Sequence, residues 1–458
     1  MGKAGTHFSP AIRKIHETGH CPMGKQAVKP ARHLAIAVDI GTTTLAASLV
    51  DRAMERRLAF CVKANPQRSC GADVISRLQA AGTSEETFRS LCSSLNQAIE
   101  EMAAELLHSG GGAWKDISCI ALAGNPAMEH FALGLQVDSL ACLPFRPLFT
   151  EGQQATTLRL GWKRDLDAYL FPLPGGFVGG DLIAFLYGVS HRKPHASSLP
   201  PSCPDTLYLD LGTNGEIALE TGDTVWATSA AAGPAFEGGN LACGMPALPG
   251  AIDRVNLEQD RISTTTISGA PPAGICGSGV LSAVSGMLDS GILDVTGRIR
   301  HPREIDSNLA NRVVDLGSTR AVVISRDSRR TTYLSQEDIR HVQLAKAAIR
   351  AGMEVLFQRS GIPARQVQKV VLTGSFGAVL DPHWLKSIGI LTENMVSNAI
   401  FIREGALYGA ERSLMDPRGF EVIEELARRV RVIPLSGSPV FEKHFLEQMN
   451  FPAEHPSV

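Results

Sequence analysis

Apolar residues fall along this chain in two rhythms. Runs such as LAIAVDI (34–40), LAASLV from Leu45 and ISCIALAG (117–124) are continuous and rich in Ile, Val and Ala, the pattern of buried strands. A further strand is expected near Leu58 to Ala64. Other stretches repeat every three or four residues. Phe88, Leu91, Leu95, Ile99, Met102 and Leu106 predict a helix over about 84–108, opened by a Thr83/Glu86 capping box and closed by Gly110 to Gly112. Ile339, Val342, Ala345, Ile349, Met353 and Leu356 predict a second over 336–358, with Ser335 as N-cap, Asp338 three residues on, and Gly361 and Pro363 at its end. A helix should start near Pro126 and another after Gly180, whereas 136–180 reads as irregular. Residues 1–33 read as a polar arm and HASSLPPSCPD (195–205) as a connector.

The strand pattern then repeats. TLYLDLGTNGEIALE (206–220) has the design of LAIAVDIGTTTLAAS, with Asp39 matching Asp210, Gly41 matching Gly212 and Thr42 matching Thr213. In both copies an aspartate ends an apolar strand and Gly-Thr begins the return, about 170 residues apart, which points to an internal duplication. TVWATSAA (224–231) continues the second copy, GICGSGVLSAVSGMLDSG (274–291) is a Gly-rich entry into a helix, and VQKVVLTGSFG (367–377) is a strand running into a glycine turn.

Bulk properties narrow the classes. The 458 residues are enough for several compact units, and 44% hydrophobic with 20% charged residues is ordinary for a globular protein. A formal charge of −2 does not point to nucleic acid or an anionic membrane. No apolar stretch is as long as the roughly 18–20 residues that span a bilayer, and the first 20 residues lack a signal-peptide core, so a cytoplasmic protein is expected. The nine cysteines (21, 61, 70, 92, 119, 142, 203, 243, 276) contain no C-x-x-C, which argues against a disulfide framework and an iron–sulfur cluster.

Two such hairpins facing one another suit a polyphosphate. Turn amides and threonine hydroxyls at Gly41, Thr42, Thr43 and Thr44 and at Gly212, Thr213 and Asn214 would grip phosphate oxygens, with glycine admitting the backbone close to the charge. Asp39 and Asp210 would hold Mg²⁺ through its waters. Glu216 and Glu237 are candidates for orienting an attacking water, although each also reads as a structural carboxylate. Gly374, Ser375, Phe376 and Gly377 could lie against adenosine, and Gly277, Ser278 and Gly279 could contact phosphate or simply pack a helix on a sheet. Asn125 and Pro126 could sit at the cleft, although Asn125 reads best as a helix N-cap, and Glu129 and His130 as residues of that helix. Each turn alone also fits a plain hairpin; the ordered set is the signal. It resembles the phosphate-1, phosphate-2 and adenosine motifs of the acetate-kinase, sugar-kinase, Hsp70 and actin superfamily. That resemblance implies an α/β fold of two RNase H-like lobes with a nucleotide cleft between them. The lobes are expected at 34–200 and 201–412, with a tail at 413–458 packing on the core.

Longer stretches carry a narrower resemblance. VDIGTTTLAASLVD, NPQRSCGADVISRL, AGNPAMEHFALG, LYLDLGTNGEIAL, SAAAGPAFEGGNLACGM, GICGSGVL, LTGSFG and ELARRVRVIPLSGSPVFEKHFLEQMNFP together resemble the reductive activators of corrinoid proteins, from about residue 34 to 452. The resemblance implies ATP hydrolysis coupled to Co(II)-to-Co(I) reduction on the corrinoid protein of a methyltransferase system, and a homodimer. Family members usually add an iron–sulfur domain. Here the arm holds only Cys21 and the tail no cysteine, so a separate ferredoxin or flavoprotein is expected as electron donor. Two other readings keep the fold and assign it different work, one as a small-molecule kinase and one as a nucleotide-gated interaction module.

Overall fold

A computed structural model describes residues 33–189, 204–258, 260–327, 330–374, 376 and 380–453. The expected arm (save His33), most of the connector, Cys21 and Cys203, and the site candidates Ser375 and Gly377 lie outside the described residues.

The first apolar runs form the sheet the sequence anticipates. β1 (Leu34–Ile40) pairs antiparallel with β2 (Thr44–Asp51), which pairs with β3 (Arg56–Ala64). After α1 (Val74–Ala81) and α2 (Glu85–Gly110), β4 (Ile117–Gly124) returns parallel to β1. The six apolar positions read from the sequence are all buried on α2. Its cap differs by one residue. Ser84, not Thr83, accepts the Thr87 amide, because the Thr83 hydroxyl is turned back to the Ala80 carbonyl (2.7 Å) at the end of α1. Next come α3 (Pro126–Leu133) and α4 (Asp138–Ala141), then β5 (Gln153–Thr156) and β6 (Asp167–Leu170), and finally α5 (Gly180–Val189). β5 and β6 fall in the stretch read as irregular; four-residue strands are too short for an alternation to stand out.

The second half repeats the plan. β7 (Thr206–Leu211), β8 (Asn214–Thr221) and β9 (Thr224–Ala231) form the antiparallel run. Two small sheets follow for which no strand was expected, although Ala321 to Ile324 in the second is an apolar run. One holds β10 (Ala251–Glu258), β11 (Arg261–Thr266) and β12 (Gly274–Ile275), leading into α6 (Gly277–Asp289). The other holds β13 (Val313–Leu316), β14 (Thr319–Arg326) and β15 (Thr331–Ser335), leading into α7 (Gln336–Ser360), whose Ser335/Asp338 capping box and left-handed Gly361 cap match the expected ends. β16 (Lys369–Thr373) then pairs parallel with β7. The chain finishes with α8 (Pro382–Ser387), α9 (Glu393–Val396), β17 (Ala399–Phe401), α10 (Gly405–Met415), α11 (Gly419–Arg429), β18 (Val430–Val432) and α12 (Pro439–Glu447).

The two large sheets run β3-β2-β1-β4-β6-β5 and β17-β16-β7-β8-β9-β18. Read from β3 and from β9, each gives two antiparallel pairings and then two parallel ones, so the duplication holds at the level of topology. Between the sheets lie α5 and α10, packed on one another. Alanines on β1 and β4 (Ala35, Ala37, Ala121, Ala123) keep that face shallow, and Leu182, Phe185, Leu407 and Ala410 pack in the same cluster beside Tyr208 and Val371 of the other sheet. α10 thus reaches the first sheet although it belongs to the second half of the chain, and the sequence boundary at 412 falls inside it. Among the described residues no helix is long and apolar enough to cross a membrane.

Candidate functional site

Because β1 and β7 are equivalent central strands, their ends meet across the interval between the sheets. The space there is lined by Asp39, Gly41, Thr42, Thr43, Thr44, Asn125, Asp181, Asp210, Gly212, Thr213, Asn214, Glu216, Glu237 and Ala406. The two turns touch: the Thr43 and Thr213 hydroxyls are 3.3 Å apart, and both donate to Oε2 of Glu237, at 3.2 and 2.5 Å. Every residue that the sequence set in the two turns, both aspartates and both glutamates therefore share one cleft.

The carboxylates crowd one another. Asp39 is held well above the ordinary carboxylate range by burial, then by the charges of Asp181, Asp210 and Glu404. Burial and the Asp181 and Glu237 charges push Asp210 up to about 7, and burial pushes Asp181 up to about 6. Glu216 lies opposite Asp210 on β8, is raised by burial and by Asp181 and Asp210, and accepts from Ser229 at 3.2 Å. Burial also raises Glu237, opposed by its two threonine donors. Like charges confined together favour protonation or a cation. Among the described residues no three carboxyl, imidazole or thiol groups are close enough together to ligate an ion directly. The set fits a hydrated divalent ion better than a bare one.

Asp181 is a cleft residue that the sequence did not single out, and Asn125, open to either a cleft or an N-cap reading, serves as both. Asp181 opens α5 just after Gly179-Gly180, and any side chain at Gly180 would collide with Glu129 and Phe171. The readable signal was a Gly-Gly-Asp at a strand-to-helix junction. Asn125 is the expected N-cap, accepting the Met128 amide at 3.1 Å, yet its amide also donates to the Thr42 hydroxyl at 2.9 Å. Its neighbours are core residues. His130 donates from Nδ1 to the Pro126 carbonyl (2.7 Å) and accepts the Leu148 amide (3.0 Å), and burial pulls it down to about 4. Glu129 is raised by burial and accepts the Gly124 amide.

The remaining candidates stand behind the cleft. Gly277, Ser278 and Gly279 are buried at the start of α6 and are not among the lining residues. A side chain at Gly277 would strike the Phe236 carbonyl, next to Glu237, and Ser278 donates to the Phe376 carbonyl at 3.0 Å. Of the two readings open for this stretch, the structure supports packing. Thr373 of β16 pairs with Asp210, which sets Gly374 and Phe376 beside the Gly212 to Asn214 turn. The Phe376 ring itself is buried, 6.3 Å from Phe401.

Two sheets of one topology, each presenting an acid-ended hairpin to a common cleft, define the two-lobed class of actin, Hsp70 and the sugar kinases. Residues 205–458 match the family model described as the C-terminal domain of RACo, the ASKHA domain, and residues 34–192 match the RACo middle region. The chain therefore belongs to the RACo family. It is 30% identical over 426 residues to the corrinoid activation enzyme RamQ of Eubacterium limosum, covering 91% of this chain and 70% of that protein. A [Co(II) methylated amine-specific corrinoid protein] reductase of Methanosarcina barkeri is 25% identical over 270 residues, 54% of this chain and 46% of the relative, so the match spans about half of that protein. Among solved structures, a reductive activator for corrinoid, iron–sulfur protein superposes with a TM-score of 0.82 at 26% identity, covering 93% of this chain and 67% of the other.

Proposed function

We propose that this chain is an ATP-dependent reductive activator of a corrinoid protein. ATP and water give ADP and phosphate, while one electron from a low-potential donor, a ferredoxin or flavoprotein, reduces Co(II) to Co(I) on the partner. The single observation that carries the nucleotide part is the meeting of the two acid-ended turns, with hydroxyls 3.3 Å apart. Family membership and the names of the relatives support the corrinoid part.

In this reading Asp39 and Asp210 would hold Mg²⁺ through water, which when bound would supply charge neutralisation at the phosphates. The amides and hydroxyls at 41–44 and 212–214 position the phosphates, Glu216 and Glu237 orient the attacking water, and the turn at 374–377 seats adenosine. Asp181 joins the acidic set as a further group able to take a proton. A phosphate entering between Thr43 and Thr213 must part them, so nucleotide occupancy is coupled to lobe separation, the motion that would reach a bound partner.

The test is ATP turnover by the full chain with and without a Co(II) corrinoid protein, together with the corrinoid absorbance spectrum under a supplied low-potential reductant. Turnover stimulated by the corrinoid protein, with Co(I) appearing only when ATP is present, is expected. ADP release driven by a small acceptor alone would make the chain a kinase instead, and no turnover under any condition would leave a nucleotide-gated binding module.

A further inference from the structure

The stretch NPQRSCGADVISRL takes no part in the cleft lining, yet it is fastened to the first phosphate turn. The Asn65 side chain donates to the Gly41 carbonyl at 2.9 Å, the Arg77 guanidinium to the Thr42 carbonyl at 2.6 Å, and the Asn65 amide to the Thr43 carbonyl at 3.0 Å. Three consecutive carbonyls are thus drawn to one side. In a trans peptide the C=O of one residue and the N–H of the next point in opposite directions. Holding carbonyls 41, 42 and 43 on the mount therefore turns the N–H groups of Thr42, Thr43 and Thr44 away from it, toward the cleft these residues line.

Arg77 is an unusual choice for that role. Its side chain is fully buried. Besides Thr42 it donates to the Gly71 carbonyl (3.0 Å), the Gln67 side-chain carbonyl (3.2 Å) and the Met128 sulfur (3.7 Å), all neutral acceptors. The nearby Asp73 carboxylate is engaged in capping α1 through the Ser76 amide at 2.7 Å. Burial pulls the guanidinium down to about 10, still charged at neutral pH. A buried charge among neutral acceptors is costly unless an opposite charge approaches.

We propose that Arg77 is a positioning residue whose buried charge, favoured within the protein by Asp73, is further balanced by the polyphosphate: from beneath the first turn it orients the turn's amides and supplies positive potential to a cleft whose charged lining residues are all acidic. This rests on the nucleotide-binding reading above. It separates recognition of phosphate, assigned to the first turn and its mount, from recognition of the nucleoside.

The discriminating variant is Gln67→Glu, which keeps the side chain's size and gives Arg77 a carboxylate partner within the protein. Binding of adenosine, ADP and ATP with Mg²⁺ to the full chain is measured by calorimetry, with thermal unfolding of the nucleotide-free protein as the folding control. ATP affinity is expected to fall about tenfold or more, ADP by less, and adenosine by under about twofold, since a lost charge is felt in proportion to the ligand's charge. Arg77→Lys and Arg77→Gln give a second comparison: lysine should retain the preference for ATP over adenosine that glutamine loses. Equal losses for all three ligands, or no loss of ATP affinity in Gln67→Glu and Arg77→Gln, would overturn the proposal while leaving the nucleotide reading intact. Failure of the wild-type chain to bind any of the three removes both.

Discussion

The two acid-ended turns follow one plan and carry different side chains around it. In the first hairpin Ile40 and Leu45 close a turn of Gly41 to Thr44, and Asp39 faces Ala46. In the second Leu211 and Gly215 close a turn one residue shorter, Gly212 to Asn214, and Asp210 faces Glu216. The first turn is held from outside its own sheet: Asn65 and Arg77 take its carbonyls and Asn125 takes the Thr42 hydroxyl. The second is held by the Gly233 amide on the Thr213 carbonyl (2.9 Å) and by Glu237. A buried cation thus stands behind the first turn, Glu216 belongs to the second, and Glu237 takes a hydroxyl from each. Duplication supplies a symmetric frame, and the asymmetry of side chains fits the proposal that one turn binds phosphate while the other works on it.

The comparison is broken most severely at Asp210. Asp210→Ala should lower ATP turnover at least about 10³-fold while leaving the protein folded, because both the ion's anchor and the charge pattern of the working turn are lost. Full turnover in that variant, measured by phosphate release, would end the assignment. Glu216→Ala makes the second hairpin resemble the first, where Ala46 stands. It should cut kcat about a hundredfold with KM changed little, as for a group acting in the transition state rather than in binding. A rise in KM with kcat intact would instead make Glu216 a binding residue.

Titration sharpens the contrast next. Asp210 is pushed from the ordinary 3.8 up to about 7. The folded protein therefore holds this proton more tightly than the unfolded chain does. The stability this contributes is fully present below about pH 4 and is lost as pH rises through about 7. Asp210→Asn carries no such charge, so its stability advantage over wild type should grow between pH 5 and pH 8. Denaturant melts of the nucleotide-free proteins at both values check it. An advantage independent of pH would mean that Asp210 is an ordinary solvated carboxylate.

How much of this was legible in the sequence follows from what kind of contact each feature depends on. The strands, α2 and α7 could be read because burial imposes a period on consecutive residues, as at Phe88 to Leu106. The aspartates could be read because each ends an apolar strand, and the duplication placed the second once the first was noticed. Asp181 and Arg77 could not be read that way. Asp181 reaches the cleft because α5 returns between the sheets, and Arg77 reaches the first turn because α1 packs under a residue 35 positions earlier; neither has a local periodic signature. Gly277 shows a signal that the sequence leaves open. A glycine-rich helix start matches a phosphate loop in sequence, while its close neighbour here is a backbone carbonyl of the protein itself. β11 and β13 of the two small sheets are short and largely half-exposed, so no apolar run marks them, whereas β14 does carry a buried run, Ala321 to Ile324, that was overlooked.

The smallest expected effect concerns the point where the turns meet. The Thr43 hydroxyl gives one contact to Thr213 and one bond of 3.2 Å to Glu237, whereas the Thr213 hydroxyl holds Glu237 at 2.5 Å. Thr43→Val keeps the shape and removes only the weaker link, so it should lower stability by about 1 kcal/mol or less and let nucleotide enter a few-fold faster, since less has to be broken to part the lobes. Thr213→Val removes the stronger bond and leaves the Glu237 carboxylate short of a donor inside the acidic set, which should cost more stability and displace the group assigned to the attacking water. Stopped-flow binding of a fluorescent ATP analogue and thermal melts of the two variants decide the matter. Equal effects at Thr43 and Thr213 would show the turns to be interchangeable, and the division of work between them would have to be abandoned.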